Sequence, residues 1–315
     1  MEYRSFSAMS TTIVAAAEGP APVVSEGFRQ VEELVQAYER RFTRFSNQSE
    51  LSALNRSAGT WFKASPDLVE VVRLALGYHR ETGGLFNPGI LASLEWVGYD
   101  RSIERLRALD RIEIPASWPA PAMPEFRRAE VDKKRSAIRL PPGLRIDLGG
   151  IAKGWIAEQA TRLLSRFSAA CSVEAGGDLF AAGIPAGESG WQVGLEDPFH
   201  PEQNLAVLTV GPGAVATSSV IKRRWQQGQA ERHHLIDPRT GEPAETTWAS
   251  VTVIAEHAAQ AEVLAKALLI GGADSILDLT SRYPQVAFIA VDRNGQLLGT
   301  ENSKEHLYEL SRSIF

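Results

Sequence analysis

Apolar residues recur at helical spacing in several segments of the chain. Between about residues 25 and 45 they are Phe28, Val31, Leu34, Val35, Tyr38 and Phe42, which fits one face of a helix. A second predicted helix has clearer ends, because Ser65 can cap it, Pro66 suits its first turn and Gly83-Gly84 can end it. Two more helices are predicted, one after Gly154 and one over about residues 258–270.

Short β-type runs dominate the later part of the chain. They are SAIRL, CSVEA, WQVGL, LAVLTV, AVATS and SVTVI, separated by Gly, Pro and Asp turns. Near the C-terminus, VAFIAVDRNGQLLGT predicts a hairpin that turns at Asn294-Gly295. The sequence therefore predicts an α+β fold. We expect one domain over residues 1–315, with a seam between two lobes near residues 112–126, where prolines cluster.

Composition narrows the class of protein. The 315 residues are 44% hydrophobic, so the chain can bury a core without disulfides. Its formal net charge is −5. Its Lys/Arg residues form no dense run with interleaved aromatic residues, which argues against nucleic acid as a partner. The single cysteine, Cys171, lies in the run AACSVEAGG, which favours a buried, reduced thiol over a reactive one.

The N-terminal segment indicates the cellular compartment in which the protein is expected. Glu2 stands where a signal peptide would be basic, and the apolar stretch from Ile13 to Ala17 is too short for a membrane span. We therefore expect a cytoplasmic protein without a membrane span, or a periplasmic one if a leader has been removed.

The segment RIDLGGIAKGWIAEQA, residues 145–160, is the strongest candidate for anion binding. A β-type approach meets the Gly149-Gly150 turn and then a helix with Lys153 in its first turn. Such a turn lets backbone amides approach an anion, while the helix N-terminus and Lys153 add positive charge. A pyrophosphate site is one interpretation and plain packing geometry is the other. Neither the GxGxxG nor the GxxxxGK[ST] spacing is present, so a Rossmann site or a P-loop is not supported.

The segment HHLIDPRTGEPA, residues 233–244, places two adjacent histidines before a tight turn. Adjacent side chains on a strand point to opposite faces, so the two rings cannot readily share one metal ion and at most one is expected to act. A nucleophilic serine is not supported, because no G-x-S-x-G motif occurs and no Asp/His pair is tied to a serine by spacing.

In their order along the chain, nine segments resemble the motifs of the ApbE family, the FAD:protein FMN transferases, from Met9 to about Gly272. They are SAMSTT, FSNQSELSALN, TGGLFNP, LEWVGY, DLGGIAKG, EAGGDL, VGLEDP, ATSS and HLIDPRTG. The resemblance implies a flavin transferase fold with two closely packed lobes around a flavin cleft, in a monomer or dimer. It also implies that the FMN half of FAD passes to a Ser or Thr hydroxyl of an acceptor protein with release of AMP, and that Mg²⁺ lies on the pyrophosphate.

The resemblance also implies a set of site residues. FAD would be bound by Met9, Phe45, Leu85, Phe86, Asn87, Asp147, Lys153 and Ile236. The carbonyl of Gly150 would face the metal ion, and His234 would transfer or position a proton.

At the implied metal site the chain departs from the family pattern. Two ligands, Asp and Thr, are expected four residues apart on a helix, but Glu262 and Lys266 stand there. Glu262 can still bind Mg²⁺, whereas the Lys266 ammonium has no lone pair and repels a cation. The two residues form either an ordinary i,i+4 ion pair on a helix surface or a site in which the ammonium replaces the metal and acts in catalysis. Both interpretations predict a weakened or absent metal site.

Lesser departures from the family pattern are Asn87 for Asp, Glu174 for Asn and Ser219 for Gly. The leading hypothesis is therefore an FAD-binding transferase that moves FMN to a protein hydroxyl with reduced or metal-independent activity. The alternatives are a flavin-binding protein without catalysis and an FAD pyrophosphatase that yields FMN and AMP.

Overall fold

A computed structural model describes residues 1–109, 112 and 125–310 of the chain. Its residues group into two compact units. The first unit comprises 1–38, 153–222 and 246–315, and the second comprises 39–152 and 223–245. The seam expected near residues 112–126 lies almost wholly outside the described residues, and a single domain over residues 1–315 stays a prediction.

The described residues form eight α-helices and sixteen strands. The helices are α1 Ala21–Phe42, α2 Glu50–Arg56, α3 Pro66–Glu81, α4 Leu91–Trp96, α5 Ile103–Arg107, α6 Ala152–Leu164, α7 Ala258–Gly271 and α8 Ile276–Arg282. The strands are β1 Glu2–Ala8, β2 Thr11–Ala17, β3 Trp61–Lys63, β4 Glu130–Asp132, β5 Ala137–Arg139, β6 Cys171–Ala175, β7 Asp178–Ala182, β8 Trp191–Glu196, β9 Asn204–Val210, β10 Gly213–Ser219, β11 Arg224–Gln227, β12 Ala230–His233, β13 Trp248–Ala255, β14 Ala287–Asp292, β15 Leu297–Gly299 and β16 Leu307–Leu310. The predicted α+β class is confirmed.

The first unit is built on a large antiparallel sheet. Its strand order is β1-β2-β6-β7-β10-β13-β14-β15, and a smaller sheet has the order β16-β9-β8. Val215 and Ile289 of the large sheet share a core with Trp191 and Leu208 of the small sheet. Helix α7 packs on β7, β10 and β13. Because α7 is rich in Ala, Val and Leu on all sides, eleven of its 14 residues are buried.

The second unit contains α2 to α5 and two small sheets, β3-β5-β4 and β11-β12. Ser65 caps α3 as predicted, because its side chain accepts a hydrogen bond from the Leu68 amide. The β-type approach expected before Gly149 is wrong, since residues 144–148 join none of the sheets in the described part of the chain. The buried Asn55 amide instead pairs with both backbone groups of Ile146, at 2.9 and 2.8 Å.

Most of the other predicted elements are present. The helix expected over residues 25–45 is α1, the helix expected after Gly154 starts at Ala152, and the hairpin at Asn294-Gly295 joins β14 to β15. Among the described helices, none is both long and apolar enough to cross a bilayer.

Sequence reasoning did not predict the β1–β2 hairpin. Its turn consists of Met9 and Ser10, and both have positive φ, 53° and 56°. A two-residue turn of this kind usually contains Asn and Gly, and neither residue is present to signal it.

Candidate functional site

Four charged side chains of the first unit form a buried ion cluster, defined here as Lys153, Asp178, Glu262 and Lys266. Lys153 Nζ lies 3.1 Å and Lys266 Nζ 3.0 Å from the same oxygen, Glu262 Oε1. Lys153 Nζ also pairs with Asp178 Oδ2. Glu262 is fully buried, Asp178 nearly so, and the lysine side chains are 14% and 13% exposed. Most of the solvent-exposed surface of the cluster therefore belongs to its two lysines.

Close approach of two helices brings the cluster together. Glu262 and Lys266 lie one turn apart on α7, and Lys153 lies in the first turn of α6. A Cβ on Gly154 would stand 2.5 Å from the Ala258 carbonyl oxygen, so only glycine permits this contact of α6 with α7. At this distance the Gly154 amide donates to Glu262 Oε2 at 2.9 Å. The Glu262 carboxylate thus places a negative charge at the N-terminus of α6, where it is stabilised by the helix dipole.

The charges of the cluster shift one another's pKa values. Burial raises the pKa of Glu262, but the nearby Lys153 and Lys266 charges and the Gly154 amide outweigh it, and the pKa falls to about 2. Burial raises the pKa of Asp178, and the Lys153 charge opposes that shift. Burial lowers the pKa of Lys266, and the Glu262 carboxylate opposes that shift. Glu262 is therefore ionised at neutral pH.

The residues of the ion cluster do not fit a divalent cation. Glu262 Oε1 accepts from two ammonium groups and Oε2 accepts from a backbone amide, so both carboxylate oxygens are engaged. Mg²⁺ requires oxygen ligands in near-octahedral geometry, and an ammonium offers no lone pair. The described residues contain no group of three or more His, Cys, Asp or Glu that could hold a metal. The interpretation of Glu262 and Lys266 as a surface ion pair is wrong, because Glu262 is fully buried and the Lys266 side chain is only 13% exposed.

The turn expected to bind pyrophosphate already uses most of its amides. The Gly149 amide donates to Asp147 Oδ2, and the amides of Ile151 and Ala152 donate to the Leu148 carbonyl. With the Gly154 amide on Glu262, four of the six amides from 149 to 154 have protein acceptors. The turn does not form a continuous row of amides for an anion.

Met9 lies in the β1–β2 turn of the first unit, where its positive φ is a backbone conformation that side chains rarely adopt. Thr11, at the end of the turn, packs on Gly176, where a Cβ would stand 2.4 Å from Thr11 Oγ1. The Gly177 amide donates to Glu174 Oε1 at 2.9 Å, and Asp178 follows directly. The Met9 turn therefore packs on the loop that leads to the ion cluster.

In the second unit Arg44 connects two of the predicted residues. Its Nε lies 3.3 Å from Asp147 Oδ1, its Nη2 donates to the Tyr99 carbonyl at 2.6 Å, and its guanidinium lies 4.2 Å from the centre of the Phe45 ring. The Arg44 side chain is only 5% exposed, whereas Phe45 is 42% exposed. The exposed Phe45 ring beside this buried cation offers an aromatic face on which a ligand could stack. Sequence reasoning missed Arg44, and its only signal was a basic residue directly before the candidate aromatic Phe45.

The remaining predicted residues of the second unit differ in exposure. Asn87 and Leu85 are half-buried, and Asn87 Oδ1 accepts from the Gly89 amide. Phe86 is buried, and its carbonyl lies 2.8 Å from His79 Nδ1. The Asp147 amide donates to the carbonyl of Pro88, which brings the segments of Asn87 and Asp147 together.

The HLIDPRTG segment packs near the same aromatic residues. Ile236 is buried in a cluster with Tyr99 and Trp225, and the Tyr99 ring lies 6.0 Å from the Phe45 ring. His234 is half-buried, two residues before Ile236. The structure therefore links Phe45, Asp147 and Ile236 within the second unit.

Comparison with known proteins gives one consistent result. The model of the ApbE family matches residues 8–290. A protein of Treponema pallidum (strain Nichols) named FAD:protein FMN transferase is 30% identical over 292 residues, covering 85% of this chain and 77% of that protein. A protein of Haemophilus influenzae with the same name is 23% identical, covering 83% of this chain and 77% of that protein.

Solved structures show the same fold. The ApbE protein of Thermotoga maritima matches with a TM-score of 0.81 at 24% identity, covering 98% of this chain and all of that one. The flavin transferase ApbE of Vibrio cholerae matches with a TM-score of 0.81 at 20% identity, covering 97% and 99% of the two chains.

Proposed function

Because this chain belongs to the ApbE family, we propose that it is an FAD:protein FMN transferase. The observation that carries the proposal is the 30% identity, over 85% of the chain, to a protein of that name. In the reaction, a hydroxyl oxygen of the acceptor protein attacks the phosphorus of the FMN half. The bond from that phosphorus to the bridging oxygen breaks, and AMP leaves with its electron pair. The hydroxyl proton passes to a base.

Phe45 and Arg44 are proposed to bind a planar ring system of FAD. The exposed Phe45 ring offers a stacking surface, and Arg44 holds that ring from behind while it pairs with Asp147. Leu85 and Asn87 are proposed to flank the same surface, and the buried Ile236 to support it from within the cluster that contains Tyr99.

His234 is proposed to accept the proton of the acceptor hydroxyl. Imidazole is the side chain best suited to take a proton near neutral pH, and His234 is half-buried and lies two residues before Ile236. Lys153 and Lys266 are proposed to supply positive charge to the pyrophosphate, and Met9 to shape the edge of the dinucleotide site.

The proposal also covers the residue that is modified in the acceptor protein and the metal ion. The acceptor is proposed to be a protein with a Ser or Thr at the modified position. The family pattern implies Mg²⁺ at Gly150 and Glu262, but the donor set around Glu262 does not fit that ion. Monomer or dimer and a cytoplasmic location stay predictions.

The experiment is to incubate the purified protein with FAD and a domain from a flavinylated protein that carries a Ser or Thr acceptor. AMP together with covalently bound flavin, detected by chromatography and mass spectrometry, is the expected result. Free FMN with AMP would instead indicate a pyrophosphatase, and bound but unchanged FAD a protein without catalysis. Either outcome overturns the proposal.

A pair of variants tests the proposed stacking surface. Stacking of a base on an aromatic ring contributes about 1–3 kcal/mol, so Phe45→Ala should weaken FAD binding about 5- to 150-fold. Trp61→Ala is the matched control, because Trp61 is also exposed, at 47%, and its ring also faces an arginine, Arg139. Equal FAD affinities for both variants would show that Phe45 does not bind the ring system.

A further inference from the structure

We propose that the ion cluster takes the place of a divalent metal ion in this chain, with the Lys266 ammonium donating a hydrogen bond to a phosphoryl oxygen of the FAD pyrophosphate. The inference rests on the proposed transferase function. It adds that the reaction proceeds without Mg²⁺ and that the Lys266 ammonium supplies positive charge to the pyrophosphate.

Both carboxylate oxygens of Glu262 already have hydrogen-bond donors. Its side chain is fully buried, one oxygen accepts from two ammonium groups, and the other accepts from the Gly154 amide. A metal ion at Glu262 would have to displace at least one of these donors. Displacing the Gly154 amide would leave a buried helix N-terminus without its acceptor, and displacing an ammonium would leave a lysine charge unpaired.

The ion cluster has equal numbers of positive and negative side chains. The two lysines and two carboxylates of the ion cluster compensate one another fully. In the protein without FAD, an added Mg²⁺ would stand beside two ammonium groups and would leave a surplus of two positive charges in a buried site. Because charges repel strongly where water is excluded, the compensated cluster disfavours a divalent cation.

The Lys266 ammonium has more N–H donors than the acceptors around it use. An ammonium has three N–H donors. Among the described residues, Lys266 Nζ donates only to Glu262, to Oε1 at 3.0 Å and to the carbonyl oxygen at 3.4 Å. One N–H therefore remains, on a side chain that is 13% exposed. This donor is held in place by Glu262 and is available to an anionic ligand.

A fixed ammonium can assist the transfer. As the bond between the FMN phosphorus and the bridging oxygen breaks, negative charge builds up on the leaving AMP phosphate. A charge-assisted N–H donor stabilises that charge without reorganising, because its position is set before substrate binds. Lys266 itself gains and loses no proton in this step.

The test compares the unaltered protein in EDTA and in Mg²⁺, and measures Mn²⁺ binding by electron paramagnetic resonance. We expect transfer rates that differ by less than about twofold between the two conditions, because no step uses a bound ion. We also expect no saturable Mn²⁺ binding by the protein alone, and, with FAD present, no more bound Mn²⁺ than FAD binds without the protein. Loss of activity in EDTA with recovery in Mg²⁺, or saturable Mn²⁺ binding competed by Mg²⁺, would overturn the inference.

Variants of the cluster provide the second arm. Lys266→Thr should lower the rate in EDTA about tenfold or more, as expected when one charge-stabilising donor is lost. Glu262→Asp combined with Lys266→Thr restores the two residue types expected at a metal site, and should gain Mn²⁺ binding and Mg²⁺-dependent activity. Arg282→Thr is the matched control: it removes an i,i+4 ion pair with Asp278 on an exposed helix surface and should change neither rate nor ion dependence.

The outcomes separate this inference from the proposed function. Absence of transfer under every ion condition contradicts the transferase function itself, whereas Mg²⁺-dependent transfer contradicts only the replacement of the metal. A rate for Lys266→Thr in EDTA equal to that of the unaltered protein would show that Lys266 does not act on the pyrophosphate. If Lys266→Thr does not fold, the EDTA and Mn²⁺ measurements on the unaltered protein decide the question.

Discussion

The same substitution, Gly to Ala, should have opposite effects on stability in two helices of this chain. At Gly154 in α6, a Cβ would stand 2.5 Å from the Ala258 carbonyl oxygen and 3.3 Å from Glu262 Cβ. At Gly77 in α3, the nearest atom would be a side-chain oxygen of Glu81 at 4.0 Å. The first site has no space for a methyl group, and the second is open.

The magnitudes follow from the contacts. Alanine in a helix is favoured over glycine by about 0.5–1 kcal/mol, which Gly77→Ala should gain in full. For Gly154→Ala, overpacking costs about 1–3 kcal/mol, and weakening the hydrogen bond from its amide to the Glu262 carboxylate costs about 1.5–3 kcal/mol. The net loss for Gly154→Ala is therefore about 2–5 kcal/mol.

Thermal unfolding followed by circular dichroism measures both effects. For 315 residues, an unfolding entropy of about 2.1 cal/mol/K per residue makes 1 kcal/mol equal to about 1.5 °C in Tm. Gly154→Ala should then lower Tm by about 3–8 °C, and Gly77→Ala should raise it by about 1 °C. A Gly154→Ala protein that melts at or above the temperature of the unaltered protein would refute the close approach of α6 and α7.

Three further predictions concern other parts of the chain. Asn55→Ala removes both hydrogen bonds to Ile146 and should lower the free energy of unfolding in urea by about 1–3 kcal/mol; an unchanged urea midpoint would contradict this pairing. Burial raises the pKa of Cys171 from 9.0 to about 11, so the unfolded chain loses the thiol proton first, and between these pH values the free energy of unfolding should fall by about 1.4 kcal/mol per pH unit. The Cys171→Ala protein should lack this part of the decline, and an identical pH dependence would argue against a buried thiol. Arg44→Lys keeps the charge but loses the planar guanidinium, so FAD affinity should fall, whereas unchanged affinity would argue against a role for the Arg44–Asp147 pair in positioning Phe45.

The sequence by itself determined the local elements and the family. Ser65 and Pro66 mark the start of α3 because they satisfy the geometry of a helix N-terminus, and Asn294-Gly295 marks a hairpin because both residues tolerate the turn. These signals depend on neighbouring residues, so they can be recognised without the fold. The β1–β2 hairpin carries no such local signal, because Met9 and Ser10 have no preference for the turn that they form.

Only the tertiary structure decided the chemistry of the ion cluster. The i,i+4 spacing placed Glu262 and Lys266 on one side of a helix, but it could not show that this side is buried. Lys153 donates to the same oxygen, Glu262 Oε1, as Lys266 does, and it lies 109 positions before Glu262 in the chain. The energy of a charge depends on which groups surround it and on how much water reaches it, and both are set by the packing of α6, α7 and β7. A pair worth little on a helix surface therefore becomes, inside the first unit, part of a charge-compensated cluster in which both Glu262 oxygens already accept hydrogen bonds.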